Sequence, residues 1–219
     1  MTSLKLVWTS AVCVALSLWT ACDSGSTSPE AKAAVSFGTL ADSRDGQSYK
    51  TVQIGNQVWM AENLNYVFLS STDGLDSGSF CYNDSLVYCE KYGRLYTWAA
   101  ANVSCPAGWH LPSSDEWRVL FSTVGDSSSA GLDLKATSGW YGNLNGSDAY
   151  AFSMLPGGFR DVGGKYLHEQ RVAFFWSSSE DSETFAYYTG FVLTSSQLDD
   201  SCIKRDYRSE ALSVRCVKD

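Results

Sequence analysis

Histidine is scarce in this sequence, and the motifs that would give it a catalytic role are absent. The two histidines are His110 and His168. His168 has no second histidine at the spacing that zinc peptidases use. No Gly-x-Ser-x-Gly elbow occurs, and neither histidine has an evident place beside the serines that follow Trp176. These absences argue against a zinc peptidase and against a serine hydrolase.

Basic residues are also few, and no internal repeat is evident. The chain carries 16 lysines and arginines against 24 acidic residues, which gives a formal net charge of −8. We do not expect such a chain to bind nucleic acid or an anionic membrane surface. The 219 residues allow one domain with a sizeable core, and the eight Trp, twelve Tyr and ten Phe predict that aromatic packing contributes much of its burial energy.

The N-terminal apolar stretch is too short to be a stable membrane span. Lys5 is the only charged residue before Cys22, and residues 6–19 are apolar apart from three hydroxyl side chains. This pattern predicts a secretory signal peptide over residues 1–21. Thr20 and Ala21 before Cys22 resemble a bacterial lipobox, whose cysteine is acylated and becomes the mature N-terminus. An ordinary signal peptide with a chance cysteine is the alternative.

Lipidation of Cys22 would attach the protein to a membrane through its N-terminus. We expect residues 22–40 to form a flexible tether, because residues 23–35 are small and polar and include no aromatic side chain. The domain itself is predicted over residues 41–219. The expected location is the bacterial cell envelope, with the outer membrane or cell surface preferred.

Residues 92–124 carry the most consistent local signals and predict a helix, a turn, a short strand and a second helix. In the first half, Leu95, Trp98 and Val103 recur at helical spacing. The second helix should begin at Ser113, which forms a capping box with Glu116, and should end at Gly125. Its apolar stripe is Trp117, Leu120, Phe121 and Val124.

Short strands are predicted on both sides of this stretch. A hairpin should join residues 49–54 and 57–60 through Gly55-Asn56, with Trp59 expected to make a packing contact. Further strands are predicted over residues 150–154, 172–176, 184–193 and 213–217, and a hairpin turn at Gly163-Gly164. In the last strand, Arg215 should point away from Val214 and Cys216.

Five separated motifs occur in one order and carry a family resemblance. They are YGRLYTWAAA, CPAGWHLP, LPGGFRD, FWSSSE and SVRCVKD. Together they resemble the Fibrobacter succinogenes major paralogous domain, a bacterial lectin-like family. The resemblance implies an α+β, C-type lectin-like fold, in which two helices pack on short antiparallel sheets beside a long irregular loop region. The Leu-Pro-x-x-x-Glu-Trp element also resembles formylglycine-generating enzymes, which use a related fold.

The cysteines agree with an exported, disulfide-linked domain. Cys81 and Cys89 lie eight positions apart and could close a local loop. The resemblance to lectin-like domains implies that Cys105 pairs with Cys216. Once Cys13 leaves with the signal and Cys22 is lipidated, Cys202 is expected to be left over.

The resemblance also implies that the long loop region, residues 136–171, is where ligands bind. Trp140 and Tyr141 could cover the apolar side of a sugar while Asn143 and Asn145 bond its hydroxyls. The alternative, which we favour, is that the aromatic residues fill the core and the asparagines satisfy turns. The motifs of calcium-dependent lectins are absent, and the run from Asn143 to Asp148 would supply one carboxylate. No metal or cofactor is predicted.

Two functions follow from these patterns. The preferred one is a cell-surface binding or adhesion domain for a polysaccharide or a surface protein. The alternative is an oxidase-like enzyme related to formylglycine-generating enzymes, which needs two closely spaced cysteines near the end of the domain. Cys202 and Cys216 are fourteen positions apart, so the sequence favours a protein that is not an enzyme.

Overall fold

The computed structural model describes residues 35–69, 78–125, 130–194, 196 and 202–219. The predicted signal peptide, Cys22 and most of the predicted tether lie outside these residues. Within them, no helix combines the length and apolar character needed to cross a bilayer.

The structure is α+β, with two mainly antiparallel sheets and few helices. The smaller sheet has the order β1-β2-β3-β13-β6, and the larger has the order β11-β10-β9-β12-β5-β4, with the β7–β8 hairpin beside β12. The strands are β1 Ser36–Ala41, β2 Ser48–Ile54, β3 Gln57–Met60, β4 Ser79–Phe80, β5 Leu95–Thr97, β6 Trp109–His110, β7 Phe159–Arg160, β8 Tyr166–Leu167, β9 Val172–Glu180, β10 Phe185–Val192, β11 Ile203–Tyr207, β12 Ala211–Ser213 and β13 Val217–Lys218. The helices are α1 Leu86–Tyr92, α2 Trp98–Ser104, α3 Ser114–Val124 and α4 Ala130–Leu134.

The first hairpin and the second predicted helix are confirmed. β2 pairs with β3 from Thr51–Met60 to Ile54–Gln57, around the predicted turn. The Ser113 side chain accepts a hydrogen bond from the Glu116 backbone, and Glu116 reaches back to the Ser113 backbone. The four apolar residues of the predicted stripe are all buried. This helix is therefore specified locally, by its cap and its periodicity.

The folded domain begins inside the segment that was predicted as tether. β1 pairs with β2 from Ser36–Gln53 to Ala41–Ser48. Five of its six residues are exposed, so the strand has no apolar alternation that would mark it in the sequence. Pairing with an already specified hairpin, rather than burial of its own side chains, makes these residues a strand.

The predicted start of the first helix is wrong. Leu95 lies in β5, paired with Ser213 of β12, and α2 begins only at Trp98. A separate helix, α1, precedes it and ends at Gly93, which has a φ of 73°. All three residues of β5 are buried, since Leu95 and Tyr96 pack into two different core clusters. Burial on both faces makes an apolar run that resembles a helical pattern.

Two other strand predictions need correction. Residues 150–154 do not form a strand, since Ala151 and Ser153 have positive φ and only Met154 makes a bridge. The Asp148 carboxylate accepts hydrogen bonds from the Ser153 backbone and hydroxyl, which favours this turn geometry. The predicted closing strand is divided into β12 in the larger sheet and β13 in the smaller one.

Arg215 lies between these two short strands and is fully buried. Its side chain points away from Val214 and Cys216, which belong to one core cluster, as predicted. Its guanidinium donates to the Asn63 side chain at 2.6 Å, to the Met60 carbonyl at 3.0 Å and to the Phe152 and Ser153 carbonyls. Burial lowers the pKa of Arg215, yet a guanidinium remains protonated at neutral pH. The residue thus joins three distant chain segments.

Replacing Arg215 should be strongly destabilising. Arg215→Met keeps much of the apolar volume but leaves the Asn63 oxygen and three carbonyls without a donor, so we expect the free energy of unfolding to fall by about 3 kcal/mol or more. Arg205→Met is the matched control, because that side chain is 64% exposed and its ion pair should contribute less than about 1 kcal/mol. Urea unfolding of both variants tests this. Equal losses would contradict a special role for Arg215.

Candidate functional site

Both predicted disulfides are present. The Cys81 and Cys89 sulfurs are 2.02 Å apart, and the Cys105 and Cys216 sulfurs are 2.09 Å apart. The first bond fastens α1 to the chain before it, and the second joins the end of α2 to the residue before β13. Cys202 is buried and belongs to neither bond.

Trp140 does not present a ring face for a ligand. It is 4% exposed, and its indole nitrogen donates to the Met154 carbonyl at 3.2 Å. The buried Lys135 ammonium lies 4.4 Å from its ring centre and donates to the Val192 and Leu193 carbonyls. Trp140 is therefore a core residue, in agreement with the alternative given for the long loop region.

The other three predicted ligand residues do not form one surface with Trp140. Tyr141 is 53% exposed, and the Arg171 guanidinium lies 4.3 Å from its ring centre. Asn143 is exposed and has a φ of 60°. The Asn145 side chain accepts a hydrogen bond from the Trp140 backbone and so supports the loop itself. Of the four residues predicted to contact a ligand, Tyr141 and Asn143 are the two that are exposed.

A polar cleft of about 160 Å³ lies elsewhere, between the β2–β3 region and the end of α1. We call it the polar cleft. Side-chain amides, carboxylates, hydroxyls and an ammonium group dominate its lining. It is lined by Gln47, Ser48, Tyr49, Glu62, Asn63, Asn65, Cys89, Glu90, Lys91, Tyr92, Gly93 and Leu155.

The two walls of the polar cleft are held close by backbone contacts. Arg94 donates its backbone N–H to the Leu64 carbonyl at 3.0 Å. A Cβ on Gly93 would lie 2.8 Å from that same oxygen, and φ at Gly93 is 73°, so this approach requires glycine. The disulfide at Cys89 fixes α1 on the same side. The cleft is thus preformed.

Its floor is fixed from below by Arg215. The Asn63 oxygen accepts from Arg215, and the Asn63 amide nitrogen donates to the Tyr92 carbonyl at 2.8 Å. Burial raises the pKa of Tyr49 to about 12, so its hydroxyl stays neutral while it accepts from the Asn65 backbone. These contacts leave little rotational freedom in the floor.

The polar groups of the cleft differ in whether a ligand can reach them. The Asn65 side-chain oxygen is buried without a hydrogen-bond partner among the described residues. One Glu62 oxygen accepts from the Lys50 backbone, whereas Glu90 and Lys91 are exposed at the rim. Hydroxyl groups pair well with such amides and carboxylates. The cleft is therefore suited to a small ligand that donates and accepts several hydrogen bonds.

Sequence reasoning missed this cleft. Its residues come from separate segments around positions 47–49, 62–65, 89–93 and 155. The one signal available was Gly93, since a glycine after a short helix indicates a positive-φ end and a close backbone approach.

His110 is surrounded by carboxylates and has no nucleophile to activate. Its Nδ1 lies 2.6 Å from an Asp219 carboxylate oxygen, and its Nε2 lies 2.7 Å from a Glu116 oxygen. Ser177 is buried, and its hydroxyl lies 3.1 Å from that of Ser114. Both groups support the junction of α3 with its neighbours. In the ranges that the structure describes, no group of three histidine, cysteine or acidic side chains is arranged to hold a metal.

These features define a disulfide-linked α+β domain with a preformed polar cleft. The chain belongs to the Fibrobacter succinogenes major domain family, whose sequence model matches residues 52–218. The match covers the turn and second strand of the first hairpin, both disulfides and β13. No curated protein and no solved structure matches the chain.

The two disulfides should differ in their effect on stability. Removing Cys105–Cys216 opens a loop of sequence separation 111, against 8 for Cys81–Cys89. On the chain-entropy estimate, paired Cys→Ser replacements should cost about 4–5 kcal/mol for the first and about 2–3 kcal/mol for the second. Urea unfolding of the two double variants provides the measurement. A larger loss for the short loop would contradict the entropic account.

His110 should make stability depend on pH. Burial lowers its pKa, but hydrogen bonds to Asp219 and Glu116 outweigh burial, so the pKa is raised above 6.5 in the folded state. The stabilisation that these two hydrogen bonds provide is therefore fully present below pH 6.5. It is lost as the pH rises through the folded-state pKa of His110. Unfolding free energies of wild type and His110→Gln, compared at about pH 5.5 and about pH 9, should differ more at the lower pH. An unchanged difference would refute this assignment.

Proposed function

We propose that the chain is a lipid-anchored protein of the bacterial cell envelope whose lectin-like domain binds a hydroxyl-rich ligand, such as a polysaccharide, in the polar cleft. The observation that carries this proposal is the concentration of amide and carboxylate side chains around a preformed cleft, where Glu62 and Asn65 are half-buried and Glu90 is exposed. Sugar hydroxyls both donate and accept hydrogen bonds, so they can satisfy such groups.

The size of the cleft limits the ligand. Its volume of about 160 Å³ is smaller than the roughly 300–1,000 Å³ of pockets for drug-sized molecules. One sugar unit or a chain end therefore suits it better than a long segment. Tyr49 and Tyr92 are 3% and 2% exposed, so recognition would rest on hydrogen bonds rather than on ring stacking.

The lectin-like part of the proposal is supported by the order of elements and cysteines. A helix ends at Cys105, a short strand and a capped helix follow, and Cys216 closes the bond just before β13. This order matches what the family resemblance implies for a C-type lectin-like domain. The signal peptide, the lipidated Cys22 and the outer-membrane or cell-surface location rest on the sequence patterns of the N-terminus.

The oxidase-like alternative has less support. Such an enzyme needs two cysteines that can react with each other, whereas Cys216 is already bonded to Cys105 and Cys202 is buried. The sulfur of Cys202 would also need access to substrate. A binding protein is the better interpretation of this arrangement.

A polysaccharide and glycan binding screen of the full-length chain, with calcium or a chelator, tests the proposal. For a ligand that binds, Asn65→Ala should weaken affinity about three- to tenfold, because it removes a neutral hydrogen-bonding group. Tyr141→Ala is the matched control, since that side chain is exposed on the long loop. Trp140→Ala is unsuitable, because it would open a cavity in the core.

The outcomes distinguish binding in the polar cleft from binding on the long loop. Weaker binding in Asn65→Ala alone supports the polar cleft, and weaker binding in Tyr141→Ala alone assigns the ligand to the long loop. If no glycan binds wild type under either condition, carbohydrate recognition is refuted.

A further inference from the structure

A second cavity lies where three connections of the larger sheet meet. They are the junction of β5 with α2, the turn between β9 and β10 and the turn between β11 and β12. The cavity has a volume of about 330 Å³, against about 160 Å³ for the polar cleft. It is lined by Trp98, Ala99, Glu183, Thr184, Arg208 and Ser209. We call it the second cavity, and it shares no lining residue with the polar cleft.

Backbone hydrogen bonds hold the three connections together. The Trp98 N–H donates to the Arg208 carbonyl at 3.0 Å, and the Arg208 N–H donates to the Thr184 carbonyl at 3.0 Å. The indole nitrogen of Trp98 donates to the Ser177 carbonyl at 2.8 Å, which fixes the ring. The second cavity is therefore formed before a ligand arrives.

The Arg208 guanidinium is held in one orientation in the wall of the second cavity. It lies 4.1 Å from the ring centre of Trp98, and its Nε donates to the Phe185 carbonyl at 3.3 Å. Its Nη2 is buried and lies 3.4 Å from a Glu180 oxygen. The side chain is still 23% exposed, and neither of these contacts uses Nη1. Nη1 is thus the nitrogen that is left to donate to a ligand.

The charges around the second cavity do not favour an ionic ligand. Arg208 is paired with Glu180, and Glu183 adds a second carboxylate at the exposed rim, so an anion would meet net negative charge. A cation would meet the Arg208 guanidinium, which covers the one aromatic ring in the lining. A neutral ligand fits this balance best.

The lining offers donors and acceptors beside a small apolar surface. Arg208 donates, the Glu183 carboxylate accepts, and the hydroxyls of Thr184 and Ser209 do both. The methyl group of Ala99 is exposed. A sugar ring carries hydroxyls around its edge and C–H groups on its faces, so it matches both kinds of surface.

We propose that the second cavity binds a neutral sugar unit through Arg208, Glu183 and Thr184. Its volume lies at the lower end of the roughly 300–1,000 Å³ range of small-molecule pockets, which suits a mono- or disaccharide. The proposal does not depend on the polar cleft. If both sites bind, one domain contacts two points on a polysaccharide.

Saturation-transfer NMR of the full-length chain with cellobiose, lactose, mannobiose and xylobiose tests the proposal. Digalacturonic acid and the disaccharide of glucosamine are the negatively and positively charged probes. At least one neutral disaccharide should bind, and more tightly than either charged probe. A titration then gives its affinity for wild type and for each variant.

Two exposed side chains of the second cavity can be changed with matched controls. Glu183→Ala should weaken binding about tenfold, because hydrogen bonds to a carboxylate are strong, whereas Glu90→Ala removes an exposed carboxylate from the polar cleft and should have no effect on this site. Thr184→Val should weaken binding about three- to tenfold by removing one hydroxyl. Thr137→Val, at an exposed threonine of the long loop, should leave affinity unchanged.

Arg208→Lys tests the stacked guanidinium. The variant keeps the positive charge but loses the planar group that lies against Trp98, so we expect about tenfold weaker binding. Urea unfolding shows whether this variant keeps the stability of wild type. Glu183→Ala and Thr184→Val test the site without that requirement, since both side chains are exposed.

The results also separate this proposal from binding in the polar cleft. A neutral sugar that Glu90→Ala weakens, and that neither Glu183→Ala nor Thr184→Val weakens, would overturn the second site and leave the polar cleft supported. Tighter binding of a charged probe than of every neutral disaccharide would overturn it too. So would absence of binding by all four neutral disaccharides at millimolar concentration.

Discussion

A buried guanidinium that is hydrogen-bonded to an amide and three carbonyls links the last segment of this domain to the end of β3 and to an irregular turn. Arg215 lies between β12 and β13, and it donates to groups from the end of β3 and from the 152–153 turn. An arginine has five donors in a rigid plane and is costly to bury unless its donors find acceptors. Two of the three backbone carbonyls that meet this requirement, those of Phe152 and Ser153, belong to a turn with no ladder of its own. These hydrogen bonds hold the irregular turn at residues 152–153 in place, as ladder hydrogen bonds hold a strand.

The polar cleft depends on the same contact. Asn63 accepts from Arg215 on one side and donates to the Tyr92 carbonyl on the other, so the guanidinium positions the floor and one wall together. Cys216, next to Arg215 in the chain, is bonded to Cys105. The disulfide restricts the position of β13. The hydrogen bonds of Arg215 then determine which segments lie against the residues before β13. The polar cleft, which is lined by the start of β2, the loop after β3 and the end of α1, gains rigidity in this way.

Features that depend on neighbours in sequence could be predicted, and features that depend on distant partners could not. The capping box at Ser113 and the turn at Gly55-Asn56 specify their own geometry, and the structure confirms both. β1 is almost wholly exposed and β5 is wholly buried, so neither strand shows the alternation that marks a half-buried strand. The cleft is the extreme case, because its polar residues have no local pattern and are brought together by contacts between distant segments, such as those of Gly93 and Arg215. For Trp140 the composition of the loop allowed both a sugar platform and the favoured core position, and the Met154 carbonyl and Lys135 hold it in the core.

The small size of the cleft has a consequence for how the protein would act. A site that encloses one sugar unit through a few neutral hydrogen bonds gains little net free energy, because water already satisfies the sugar. Weak single sites become effective when many copies face a repetitive ligand, since the second contact is then intramolecular. A lipid anchor with a flexible tether would concentrate copies in one plane and let each reorient. Under the proposed anchoring, avidity on the envelope rather than affinity in the cleft would set the strength of attachment.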